Sequence, residues 1–91
     1  MALFKVGSTF TMTFRAYDIN GKLMSPTTIS LTVVKGSGVT ITPTPVESDE
    51  GVYQYVATPA SNESGFWEWT FSATDGALNN RTVSDRLWVD P

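Results

Sequence analysis

Ninety-one residues suffice for one domain with a single thin core. Nine acidic residues stand against six scattered basic ones, for a net charge of −3, which argues against a basic nucleic-acid-binding face. The chain has no His and no Cys, so the usual general base, the thiol nucleophile, the commonest metal ligand and any disulfide are all missing, and an enzyme is not expected.

The segment Leu3 to Val6 is a short apolar strand stopped by Gly7-Ser8. The N-terminal run Met1 to Gly7 carries no basic n-region and no long apolar stretch, so a secretory signal is not expected. No run in the chain approaches the ~20 apolar residues of a membrane span. From Thr9 to Tyr17, Phe10, Met12, Phe14 and Ala16 alternate with Thr9, Thr11, Thr13 and Arg15. That is the period-2 pattern of a half-buried strand. Asn20-Gly21 then offers two residues tolerant of positive φ, a tight-turn signal. Pro26 interrupts the chain, because it has no N–H for a ladder. Thr28 to Lys35 forms the next strand, with Ile29, Leu31 and Val33 inward, and Gly36-Ser37-Gly38 turns it.

Val39 to Thr42 is short and runs into Pro43-Thr44-Pro45, which places it at a sheet edge, as is Leu3 to Val6. Such edges carry few inward charges and are candidates for strand addition by a partner chain. Val46 to Glu50 reads as loop. Val52 to Thr58 follows, with Tyr53, Tyr55 and Ala57 on one face. Phe66 to Thr74 places Trp67, Trp69, Phe71 and Ala73 on one face and Glu68, Thr70 and Ser72 on the other. Asp75-Gly76 opens the last turn, lengthened by 77–80, and Val83 to Val89 closes the chain. Thirteen Thr and nine Ser agree with this β-rich reading, since Thr suits a pleated surface. About seven short strands separated by Gly, Pro, Asn and Asp predict a single all-β domain over residues 1–91, an antiparallel β-sandwich or small barrel.

The run Asp49-x-Gly51-x-Tyr53-x-Tyr55, then Pro59 and Gly65 before an aromatic strand, resembles immunoglobulin-like sandwiches of the filamin type and bacterial Ig-like surface modules. Asp49-x-Gly51-x-Tyr53 also resembles the tyrosine corner of antibody domains, although two strands follow it here and the disulfide Cys is absent. Over the whole chain, Val6-Gly7-Ser8-Thr9-Phe10, Phe14-Arg15-Ala16-Tyr17-Asp18-x-Asn20-Gly21, Pro26-Thr27-Thr28-Ile29-x-Leu31-x-Val33, Gly51-x-Tyr53 and Gly65-x-Trp67-x-Trp69 look like the small Ig-like proteins of tailed-bacteriophage structural gene clusters. That resemblance implies a non-enzymatic virion protein, assembled in a host cytoplasm, that decorates the capsid or bridges head, neck or tail. Its partners would be other virion proteins or copies of itself, with no cofactor, nucleic acid or membrane. The alternatives are a module of a bacterial surface adhesin and a carbohydrate-binding module.

Each candidate site has a plainer reading beside it. Glu47, Asp49 and Glu50 cluster, but in a predicted loop with nothing to raise an acid's pKa for glycoside chemistry. Asp18-x-Asn20-Gly21 begins like a calcium loop but lacks the later ligands, and a hairpin turn accounts for it. Asp75 and Asp85 could join a calcium site at one pole only on the strength of their charge. Asn62-Glu63-Ser64 and Asn80-Arg81-Thr82 fit the glycosylation pattern in predicted loops, which a Ser/Thr-rich chain produces by chance. Trp67 and Trp69 read as core rather than as a sugar platform. Trp88 faces away from Leu87 and Val89, together with Arg86 and Ser84. It either meets a partner or is half-covered by a loop, and Trp beside Arg is an interface composition. Phe66 and Phe4 are further partner-contact candidates.

Overall fold

The computed structural model describes residues 4–75 and 81–91. Two β-sheets pack face to face, so the molecule is an all-β sandwich. Strands β1 (Phe4–Lys5), β3 (Thr28–Val34), β4 (Thr40–Ile41), β7 (Gly65–Thr74) and β8 (Arg81–Asp90) form one sheet, in the order β1-β8-β7-β3-β4. Strands β2 (Phe10–Arg15), β5 (Val46–Asp49) and β6 (Val52–Ala57) form the other, in the order β2-β6-β5.

The alternation read in the sequence carries through to burial. Phe10, Met12 and Phe14 of β2 are buried while Thr11, Thr13 and Arg15 between them are exposed. Ala16 just after β2, Leu31 and Val33 of β3, Tyr53 and Ala57 of β6, and Trp67, Phe71 and Ala73 of β7 complete the buried core cluster with Val89 of β8. Aromatic rings join the two layers. Phe14 meets both Trp69 and Phe71, with ring centroids 5.1 and 4.7 Å away, and Phe10 meets Trp67 at 5.9 Å. The short strands β1 and β4 are the edges of the larger sheet, as their brevity and the Pro residues after β4 predict.

Four expectations need correction. The segment 46–50 is not all loop: Val46–Asp49 is a strand that pairs with β6, with an irregularity between Glu47 and Asp49. Every residue of it is exposed, so it carries no inward apolar series. The sandwich is not wholly antiparallel, because β1 runs parallel to β8, Phe4 opposite Val89. At the Asn20-Gly21 turn only Gly21 has a positive φ, of 81°. The turn is fixed instead by the Asp18 carboxylate, which accepts the N–H groups of Asn20 and Lys22 at 2.8 and 3.0 Å. Trp69 lies on the inner face but is only half-buried, whereas Trp67 is 1% exposed.

The Asp49-Glu50-Gly51-x-Tyr53 segment forms the β5–β6 hairpin, two strands before the end of the chain, so it is not placed like an antibody tyrosine corner. Gly51 is required there. Its φ is +73°, and a Cβ would come within 2.7 Å of the Met24 backbone N and O. Pro59 follows β6 and Gly65 opens β7, as the Pro and Gly signals predict.

Candidate functional site

The outer face of the larger sheet carries the one aromatic cluster turned to solvent among the described residues. β7 and β8 are antiparallel with Phe66 opposite Trp88 and Glu68 opposite Arg86. Period-2 alternation sends Trp67 and Leu87 inward and therefore sends these four out. Phe66 is 50% exposed and Trp88 42% exposed. Their rings meet edge to face, with centroids 5.0 Å apart and planes 73° apart. The Arg86 guanidinium lies 4.5 Å from the Phe66 ring centroid, a cation–π contact. The Trp88 indole N–H donates to the Asp90 carboxylate at 2.7 Å. Beside this cluster lies a shallow depression of about 240 Å³ lined by Glu68, Trp69, Thr70, Ser84, Asp85 and Arg86.

The structure thus brings together Trp88, Arg86 and Phe66, three of the four residues singled out as partner contacts. Phe4 is elsewhere: it is half-buried, and its ring stands 4.9 Å from that of Phe10 at the rim of the core. Sequence reasoning missed Asp90, which fixes the indole of Trp88. The signal was available, since residues two apart in a strand share a face.

The acidic cluster at the β5–β6 hairpin is built for local structure. Glu47 accepts hydrogen bonds from the Ser25 hydroxyl and, at 3.1 Å, from the Gly51 N–H. These bonds, the Ser25 one foremost, hold its carboxyl below the usual carboxylate range. That is the opposite of what a general acid requires. The neighbouring Tyr53 phenol is pushed up, mainly by burial and then by Glu47. Asp49 accepts the N–H of Glu50 at 2.8 Å. A second polar knot closes the β6–β7 loop. Glu63 accepts the Ala60 N–H and pairs with Lys35, both at 2.8 Å, and its carboxyl is lowered chiefly by the first of these. Its backbone carbonyl accepts the Trp67 indole N–H at 2.7 Å.

The remaining motifs do not converge. Asp75 accepts from the backbone N–H and the hydroxyl of Thr27, tying β3 to the end of β7. Asp85 lies opposite Trp69, five positions along β7 from Thr74, the last residue of that strand. That offset spans roughly 17 Å of strand, so Asp75 and Asp85 do not share a pole. No group of three or more potential metal ligands occurs among the described residues. Asn62-Glu63-Ser64 lies in the β6–β7 connection, as expected. Arg81 and Thr82 belong to β8 rather than to a loop, and Asn80, like 76–79 of the predicted last turn, lies outside the described residues. Comparison with protein-family models, with curated proteins and with solved structures found no match to this chain.

Proposed function

We propose that this domain is a non-enzymatic, Ig-like structural protein of a tailed-bacteriophage virion that acts by protein–protein contact through the outer face of β7 and β8. The observation that carries the reading is the Phe66–Trp88–Arg86 cluster. Two large rings and a guanidinium, held in contact with one another and half open to water, have the composition of an interface hot spot. A glycan platform needs an open, flat aromatic face. Here the rings stand at 73° and Arg86 lies over Phe66, which favours a protein partner.

The sheet orders support the Ig-like part of the reading. Lettering β2 to β8 as B, C, C′, D, E, F and G gives B-E-D in one sheet and G-F-C-C′ in the other, the neighbour order of an immunoglobulin sandwich. The phage part rests on the resemblance of the turn and alternation pattern.

The test is incorporation. Mass spectrometry of purified particles from the source that encodes this chain should detect it at stoichiometric level. The F66A/W88A double variant should fold, judged by circular dichroism, yet be lost from particles. Particles lacking the native chain, or retaining the double variant at native level, would overturn the proposal.

A further inference from the structure

The two sheets do not match in extent, and the mismatch leaves one side of the sandwich open. The larger sheet has five strands and the smaller three, and β2, at the edge of the smaller sheet, packs its rings on β7, Phe14 against Trp69 and Phe71 and Phe10 against Trp67. The unpaired side of β2 faces β8, since Phe10 also meets Phe4 of β1, the strand beyond β8. The inward series of β8 is Val83, Asp85, Leu87 and Val89. Val89 is buried, Leu87 half-buried, Asp85 exposed and Val83 44% exposed. The uncovered half is therefore apolar, acidic, apolar.

Along this opening runs the free edge of β2. Among the described residues β2 pairs only with β6. Ala16 donates its N–H to Gly51 across that ladder. Antiparallel bonding alternates, so Phe14, Met12 and Phe10 bond β6, while the N–H and C=O groups of Thr11, Thr13 and Arg15 point sideways to the open edge. The other edges are blunted. β1 and β4 have two residues each, and β5 carries an irregularity and two acids. On β8 the Arg86 N–H is already bonded by the Asp85 carboxylate at 2.8 Å. β2 has no Pro, no inward charge and no register shift, the usual guards of an exposed edge.

We infer that the β2 edge is a strand-addition site for an extended segment of another protein, one carrying Lys or Arg between two apolar residues at alternate positions. Backbone pairing with Thr11 and Thr13 supplies the register, and the alternate side chains lie over the uncovered half of β8. The cation answers Asp85 and the apolar residues cover Val83 and Leu87. A second copy fits poorly. Its own Phe10, Met12 and Phe14 are buried in its own core, so its β2 has no apolar side chain to lay over Val83 and Leu87 and no inward cation to answer Asp85. This surface lies on the opposite face of β8 from the Trp88 cluster, and the inference does not depend on the function proposed for that cluster.

The probe is an acetylated, amidated heptapeptide of alternating threonine with valine, lysine and valine at its second, fourth and sixth positions. A control has glutamate for lysine. Titration calorimetry with native protein should give at least tenfold tighter binding of the lysine peptide, and Asp85→Lys should invert the preference. Hydrogen exchange should slow at the Thr11 and Thr13 amides in the lysine complex. Three results would overturn the inference: no binding of either peptide, equal binding of both, or protection confined to other strands. Light scattering of the protein alone that shows a dimer with those two amides protected would also overturn it, in favour of self-pairing.

Discussion

Phe14 and Phe71 stack face to face across the two sheets, with ring centroids 4.7 Å apart and planes 2° from parallel. The contact joins β2 to β7 in the middle of the core, and both rings are buried. A stacked pair contributes about 0.5–1.5 kcal/mol beyond the apolar area it buries. A double-mutant cycle of Phe14→Leu and Phe71→Leu in urea unfolding should return a coupling energy in that range. Coupling indistinguishable from zero would mean that the sheets are held by burial alone.

The two inward tryptophans should differ. Trp67 is enclosed, bonded through its indole N–H to Glu63 and flanked by Phe10 and Lys35. Trp67→Ala should cost roughly 3–5 kcal/mol, the range for emptying a large aromatic site. Trp69 is half-buried at the open side, so Trp69→Ala should cost less, about 1–3 kcal/mol. Equal losses in the two variants would show that the opening beside Asp85 is closed in solution.

That contrast marks what could be read from the chain. Alternation fixes the side of a strand on which a ring lies, and every inward series named from the sequence is inward in the fold. It does not fix how far the opposing sheet extends, which is why Trp67 and Trp69 looked equivalent and are not. β5 was illegible because Val46-Glu47-Ser48-Asp49 has no buried face, hence no hydrophobic period. The parallel pairing of β1 with β8 joins the two ends of the chain, and no local pattern encodes a partner some 85 residues away. At the candidate site the outward facing of Trp88, Arg86 and Phe66 was visible in their spacing. Their mutual contact was not, since it depends on the β7–β8 register.

The Glu47 knot predicts how stability responds to acid. The Ser25 hydroxyl and the Gly51 N–H both bond the ionised carboxylate, so its pKa in the fold lies below the ordinary 4.5. A carboxyl lowered on folding stabilises the native state above its unfolded pKa, and this contribution is lost as pH falls through the folded value. For Glu47 the loss begins near pH 4.5 and continues downward; Glu63, lowered by the Ala60 N–H and then by Lys35, adds to it in the same direction. Glu47→Gln carries no titrating group, so it should reduce the drop in urea midpoint between pH 7 and pH 3, and Ser25→Ala should do so in part. An unchanged drop in Glu47→Gln would mean that the hairpin carboxylate is not held as described. Tyr53 gives the opposite limb. Its phenol is raised by burial and by Glu47, so the neutral form belongs to the fold and stability declines as pH rises above 10. Glu47→Gln removes the nearby charge but not the burial, so the alkaline decline should persist in that variant while the acid one shrinks.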